Sequence, residues 1–175
     1  MPDRPLNATA ASLLGFLADG PASGWDLLHT AQLVIGRFWS ITSSQVYREL
    51  ASMERDALIV RGESGPRDRR PYTLTAAGRD AFTEWVRRSP GEEQIRYPLL
   101  LTISFGRHLP PGLLAEFVRE HRDGHARRLA AYRDDRRAIG DDDPYTAATL
   151  DFGIRYEQAV LDWFDALPGS ISAGE

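Results

Sequence analysis

Residues 42–48 read Thr-Ser-Ser-Gln-Val-Tyr-Arg, a run of hydroxyl and amide side chains closed by a cation. Groups of this kind bond to base edges and phosphate oxygens: an amide pairs with adenine, a guanidinium with guanine or phosphate, a hydroxyl with the backbone. On a helix with Val46 turned inward, Ser44, Gln45 and Arg48 point out. Gln45 is then the candidate for adenine, Arg48 for guanine or a phosphate, Thr42 and Ser43 for the backbone, and Tyr47 for a phosphate. Glu49 and Glu54 repel phosphate and are expected on the flank away from it. The competing reading is an ordinary capped surface helix. A second cluster, Arg67, Arg69 and Arg70 opposed by Asp68, lies in the stretch 62–70. Such a tip follows phosphates or enters a minor groove when it stands behind a reading helix, and is only a solvated turn when it does not.

The flanking sequence supplies the elements that would position both clusters. Ala10, Leu13, Leu14 and Leu17 repeat at helical spacing over about 8–18, and Asp19-Gly20-Pro21 stops them. Ser23 with Asp26 forms a capping box that opens a second helix, with Trp25, Leu28, Ala31 and Val34 as its apolar stripe. Thr42 with Gln45 forms another, opening a helix over about 43–56 whose Val46, Leu50, Met53 and Ala57 share one face. Leu58-Ile59-Val60 and Pro71-Tyr72-Thr73-Leu74-Thr75 then read as the two strands of a hairpin tipped by 62–70. Thr75 caps a fourth helix with Ala81, Phe82, Trp85 and Val86 inward. Three helices, a two-stranded β-hairpin wing and a fourth helix make a winged helix-turn-helix in a mainly α chain. Ser89-Pro90-Gly91 is the clear linker, which divides the chain into 1–89 and 90–175.

The second part is helical by pattern. Residues 97–107 form a short apolar segment, and a long helix over about 111–138 carries Leu114, Val118, His121, His125, Leu129 and Tyr132. Asp143 is placed to cap a last helix, about 144–167, with Pro144 as its first residue. That helix has two apolar stripes, Leu150, Ile154, Leu161 and Phe164 on one and Phe152, Tyr156, Ala159 and Trp163 on the other. One chain rarely buries both, so the second stripe is expected to pack on another subunit in a homodimer.

Composition narrows the function classes. The formal net charge is −4, but residues 1–89 carry 11 Arg against 10 acids and 90–175 carry 10 Arg against 15. The acidity therefore belongs to the second part. Without cysteine there is no disulfide, thiolate zinc site or cysteine nucleophile. The N-terminus lacks the pattern of a signal peptide and no run is long enough to span a bilayer, so a cytoplasmic location is expected. No catalytic constellation assembles, and the chain is not expected to be an enzyme. His121 and His125 have zinc-pair spacing, but HRDGH lacks the glutamate of the metalloprotease motif and no third ligand stands out, so neither metal nor cofactor is expected.

The stretch Phe38-Trp39-Ser40-Ile41-Thr42-Ser43-Ser44-Gln45-Val46-Tyr47-Arg48-Glu49-Leu50, continued by Met53-Glu54-Arg55-Asp56-Ala57-Leu58-Ile59, resembles the signature of the PadR family of bacterial regulators. Pro71-Tyr72-Thr73-Leu74-Thr75-Ala76-Ala77-Gly78-Arg79 does so too, as do Leu99-Leu100-Leu101 and Phe105-Gly106 in the second part. One departure is Ala57, where the family usually has Gly; it argues against a tight left-handed turn at 57 and leaves Asp56 to supply one. The resemblance implies a homodimer with interlocking C-terminal helices, usually a repressor that leaves a pseudo-palindromic operator in double-stranded DNA when a small aromatic or amphipathic effector binds. Trp25, Trp39, Tyr97, Phe105 and Trp163 are candidates to stack on such a ligand, against core or dimer packing for each. The alternative function is a winged-helix module that binds an acidic protein partner without reading DNA sequence.

Overall fold

The computed structural model describes residues 5–35, 39–63, 70–93, 95–139 and 143–172. Their contacts divide the chain into two compact units, Met1–Glu92 and Glu93–Glu175.

In the first unit α1 (Ala8–Ala18) is capped by Asn7, whose side chain accepts from the Ala10 amide at 2.8 Å. Strand β1 (Ala22–Ser23) leads into α2 (Gly24–Val34), and the capping box foreseen at Ser23 and Asp26 is formed in both directions. Helix α3 (Ser43–Arg55) opens with the second box, at Thr42 and Gln45. Strands β2 (Ile59–Arg61) and β3 (Pro71–Leu74) and helix α4 (Ala76–Val86), capped by the Thr75 hydroxyl, complete the unit. The expected two-stranded wing is part of a three-stranded antiparallel sheet, ordered β1-β3-β2, with Ala22 opposite Tyr72 and Ile59 opposite Leu74. Two residues are too short a strand to leave a periodic signal.

Leu13, Leu14, Leu17, Leu27, Val46, Leu50, Met53 and Ile59 form the centre of the first core. Burying each such side chain contributes roughly 1.5–3 kcal/mol, which is what holds short helices in place. The buried face of α2 is Gly24, Leu27 and Ala31, so the expected stripe is rotated: Trp25 and Val34 are exposed. Val86 is exposed as well, because α4 ends there and its close contact is made by Gly78 instead. A Cβ at Gly78 would lie 2.0 Å from the Leu58 carbonyl oxygen.

The end of α3 corrects the expected turn. Asp56 has φ −82, and Ala57 takes the left-handed conformation at φ 55. Ala57 N–H donates to Glu54 C=O (3.1 Å) and Leu58 N–H to Met53 C=O (2.9 Å), the paired bonds that close a helix through a left-handed residue. Ala57 therefore lies beyond the helix and is exposed, not on the inward face of α3. The Thr75 hydroxyl, 2.9 Å from both the Ala57 and Leu58 carbonyl oxygens, locks this turn to the start of α4.

In the second unit α5 (Pro98–Ser104) and a single 3₁₀ turn (Gly106–His108) precede the long α6 (Leu113–Ile139), α7 (Pro144–Asp165) and the short α8 (Gly169–Ser172). Asp143 caps α7 with Pro144 in its first turn, as expected, and its carboxyl is held below the usual range by hydrogen bonds from Thr146. Leu99, Val118 and Phe164 centre the core. Gly153 lets α7 approach α6 closely, since a Cβ there would meet the Tyr132 ring at 2.7 Å. His121, expected on the inward stripe of α6, is exposed, whereas His125, Leu129 and Tyr132 are buried.

Candidate nucleic-acid interface

The start of α3 is fixed by the box at Thr42. The Thr42 amide donates to Gln45 Oε1 at 2.8 Å and the Gln45 amide to Thr42 Oγ1 at 3.3 Å. Ser43 and Ser44 are exposed beside it, with Ser44 Oγ 3.1 Å from Thr42 Oγ1. Gln45 thus has its carbonyl oxygen committed, and only its amide N–H groups are available without opening the box. A bidentate adenine contact needs both ends of the amide, so the geometry favours Gln45 as a donor alone. Arg48 projects outward with 67% of its side chain exposed. Glu49 is buried, at 6% exposed, yet its carboxylate lies 3.5 Å from the Arg48 guanidinium, so one end of Arg48 is tied back to its neighbour. Glu54 lies 3.4 Å from Arg61.

Tyr47 lies across the start of α2. A Cβ at Gly24 would come within 2.6 Å of its ring, yet about half of the tyrosine remains exposed. On the wing, Gly62 N–H donates to the Pro71 carbonyl (2.7 Å), and Arg61 donates to the Tyr72 hydroxyl (2.5 Å) with its guanidinium carbon 5.1 Å from that ring's centroid. Arg70 is exposed at the foot of β3, while Arg67 and Arg69 lie outside the described residues. Arg61 is the cation that the sequence reading left out. Its position on an alternating strand next to the Arg-rich tip was the available signal.

In the second unit Phe152 and Tyr156 stand out from α7, 63% and 38% exposed, with rings stacked at 6.3 Å. Ala159 is exposed on the same helix, and Trp163 packs edge-on to Tyr97 and against Phe164. Three of the four interface candidates therefore face outward, and Trp163 belongs largely to its own core. Among the effector candidates, Trp25 stacks on His29 at 5.3 Å, and Trp39 and Phe105 are exposed. Tyr97 belongs to a polar network: its hydroxyl is 2.7 Å from His125 Nε2, His125 Nδ1 is 2.5 Å from Glu157, and Arg128 Nε donates to the other Glu157 oxygen at 2.9 Å. Burial, first of its causes, pushes the Tyr97 hydroxyl up to about 12, so it stays protonated. Burial likewise lowers His125, whose Nδ1 lies between the Glu157 carboxylate and Arg128 Nη2, 2.7 Å away. No sequence signal joined His125 to Glu157, 32 residues apart.

The two units match two family models. Residues 13–84 match the Transcriptional regulator PadR-like family, and residues 95–167 match Virulence activator alpha C-term. The negative transcriptional regulator PadR of Bacillus subtilis is 29% identical over 100 residues, a stretch that covers 54% of this chain and 54% of that protein. A Mycobacterium tuberculosis protein described as a probable transcriptional regulator is 25% identical over 174 residues, covering 88% of this chain and 92% of its own. In three dimensions the chain superposes on B. subtilis PadR solved with operator DNA (TM-score 0.77, 21% identity, 97% of this chain and 99% of that one). The same protein has also been solved with p-coumaric acid (TM-score 0.71, 21% identity, 95% and 98%). A PadR-like regulator from Bacillus cereus superposes with a TM-score of 0.82 at 18% identity over 95% of this chain and 99% of its own. With a capped α3 and a wing in the first unit, and with both units matched in order, the chain carries a PadR-like transcriptional-regulator domain over residues 13–84, followed by a Virulence activator alpha C-term domain over residues 95–167.

Proposed function

We propose that this chain is a sequence-specific DNA-binding regulator that acts as a homodimer and represses until a small aromatic or amphipathic molecule releases it. The observation that carries the reading is the start of α3, where Ser43, Ser44 and Arg48 stand exposed on a helix fixed by a complete capping box. Arg48, with Gln45 as a donor, reads base edges; Thr42, Ser43 and Tyr47 contact the backbone; Arg70, with Arg67 and Arg69 beyond the described residues, follows phosphates. The exposed Phe152, Tyr156 and Ala159 of α7 pair with a second copy, which supplies the second recognition helix for a pseudo-palindrome. Support comes from relatives of the same fold, one solved on operator DNA and also with p-coumaric acid. Reading DNA places the protein in the cytoplasm, and no catalytic role is assigned to it.

The test is an electrophoretic shift with DNA from upstream of the protein's own gene, in moderate salt and excess random duplex. Preferential retention of the upstream DNA is expected, weakening steeply as salt rises. Equal binding to both DNAs at every salt concentration would contradict the reading and favour a protein-binding module.

A further inference from the structure

Between the start of α2, Tyr47 of α3 and the two wing strands lies an open cleft of about 370 Å³, lined by Ser23, Gly24, Trp25, Tyr47, Arg61, Arg70 and Tyr72. We propose that this cleft holds one phosphate of the DNA backbone, with Arg61 and Tyr47 as its main contacts; the proposal rests on the DNA-binding reading above. Arg61 and Trp25 thereby gain a role in DNA binding that neither the α3 start nor the wing tip supplies.

The lining selects an anion. Two guanidinium groups and two phenols converge on the cleft, and Trp25, 51% exposed, offers an apolar wall against which a deoxyribose can rest. Of the two nearby carboxylates, Asp26 is held by Ser23, whereas Glu54, against its expected place away from phosphate, pairs with Arg61 itself and must share that guanidinium with the phosphate. Asp26 accepts from both the amide and the hydroxyl of Ser23, at 3.2 and 2.5 Å, and Glu54 lies against Arg61 at 3.4 Å. Arg61 is also pre-ordered by its bond to the Tyr72 hydroxyl and by the ring beneath it. An arginine so held loses little side-chain freedom on binding and keeps further donors of its planar fork for a second partner.

Location decides the source of the phosphate. Tyr47 precedes Arg48 by one residue, and Arg61 and Arg70 stand at either side of the wing tip. A duplex that meets Arg48 and the wing runs its backbone past this cleft, whereas a free phosphate would gain no contact beyond it. The shared chemistry is a tetrahedral oxyanion, and the experiment separates the two sources.

The full-length protein is titrated with a duplex selected from a random pool and with a scrambled duplex, across salt, as wild type, Arg61→Ala and Arg61→Lys. Loss of one phosphate contact predicts roughly tenfold weaker binding of both duplexes by Arg61→Ala and a salt slope smaller by about one. Arg61→Lys, which keeps the charge, is expected to restore the slope. The wild-type amide signals of Gly24 and Trp25 in a nitrogen-correlated NMR spectrum provide a reading free of folding effects. They should shift on adding duplex, and duplex should displace any effect of inorganic phosphate. An unchanged slope in Arg61→Ala overturns the proposal, as does a phosphate-induced shift that persists when DNA is saturating. Wild type that binds no DNA at all would fail the underlying reading, whereas wild type that binds with these signals unmoved would fail this proposal alone.

Discussion

Beside its apolar core each unit has a polar joint between elements, and the two joints are built from different chemistry. In the first, the Thr75 hydroxyl binds the carbonyls of Ala57 and Leu58 while Gly78 brings α4 against the same turn. None of these groups titrates. In the second, Tyr97, His125, Glu157 and Arg128 tie α6 and α7 together through side chains, two of them almost wholly buried. The first joint depends on steric fit and is indifferent to protons; the second depends on ionisation.

The largest break in this comparison is expected at Gly78. A methyl at 2.0 Å from the Leu58 oxygen cannot be accommodated without moving α4, so Gly78→Ala should destabilise the first unit by roughly 4 kcal/mol. Amide hydrogen exchange reads the units separately. It should show protection lost in α1, α3 and the sheet but kept in α6 and α7; intact α3 protection would contradict the joint.

Proton dependence should divide the units next. Burial lowers His125 below its ordinary 6.5, helped by Arg128 and His121 and opposed by Glu157, so the unfolded chain binds a proton more readily than the folded one. The stability this group contributes is therefore fully present above about pH 6.5 and is lost as pH falls below it. Exchange protection of α6 and α7 should decline in that window while α1 and α3 hold, and His125→Gln should flatten the decline. Parallel decline of both units in wild type would remove the distinction.

A smaller change sharpens the first joint. Holding alanine in the left-handed region at φ 55 costs about 1–2 kcal/mol, whereas glycine adds about 0.4–1 kcal/mol of unfolded-state entropy. Ala57→Gly should stabilise the first unit by about 0.5–1 kcal/mol in a denaturant titration, with loss of stability as the contrary result.

What was legible in the sequence was what acts over a few residues. The boxes at Ser23 and Thr42, the Thr75 cap and the Asp143-Pro144 start are each written within four positions, and each forms. The turn at Ala57 was hidden because glycine is the usual sign of such a conformation, and there the tertiary lock from Thr75 substitutes for it. Strand β1 has too few residues for a pattern and exists only because β3 is beside it. The His125–Glu157 pair joins separate helices, so periodicity placed His125 inward but could not supply its partner. At the candidate interface the residue types of 42–48 were readable. The conflict between capping and adenine reading at Gln45 appears only once the Thr42 amide is seen to hold its oxygen.

The central claim is that α3 and the wing of two paired chains read one DNA sequence. Selection of duplexes from a random pool by the full-length protein, followed by sequencing, tests it most directly. The account predicts enrichment of a pseudo-palindrome whose half-sites are centred about one helical turn, roughly 10 base pairs, or a multiple of it apart. A pool that stays random after repeated rounds, or a single unrepeated half-site, would contradict it.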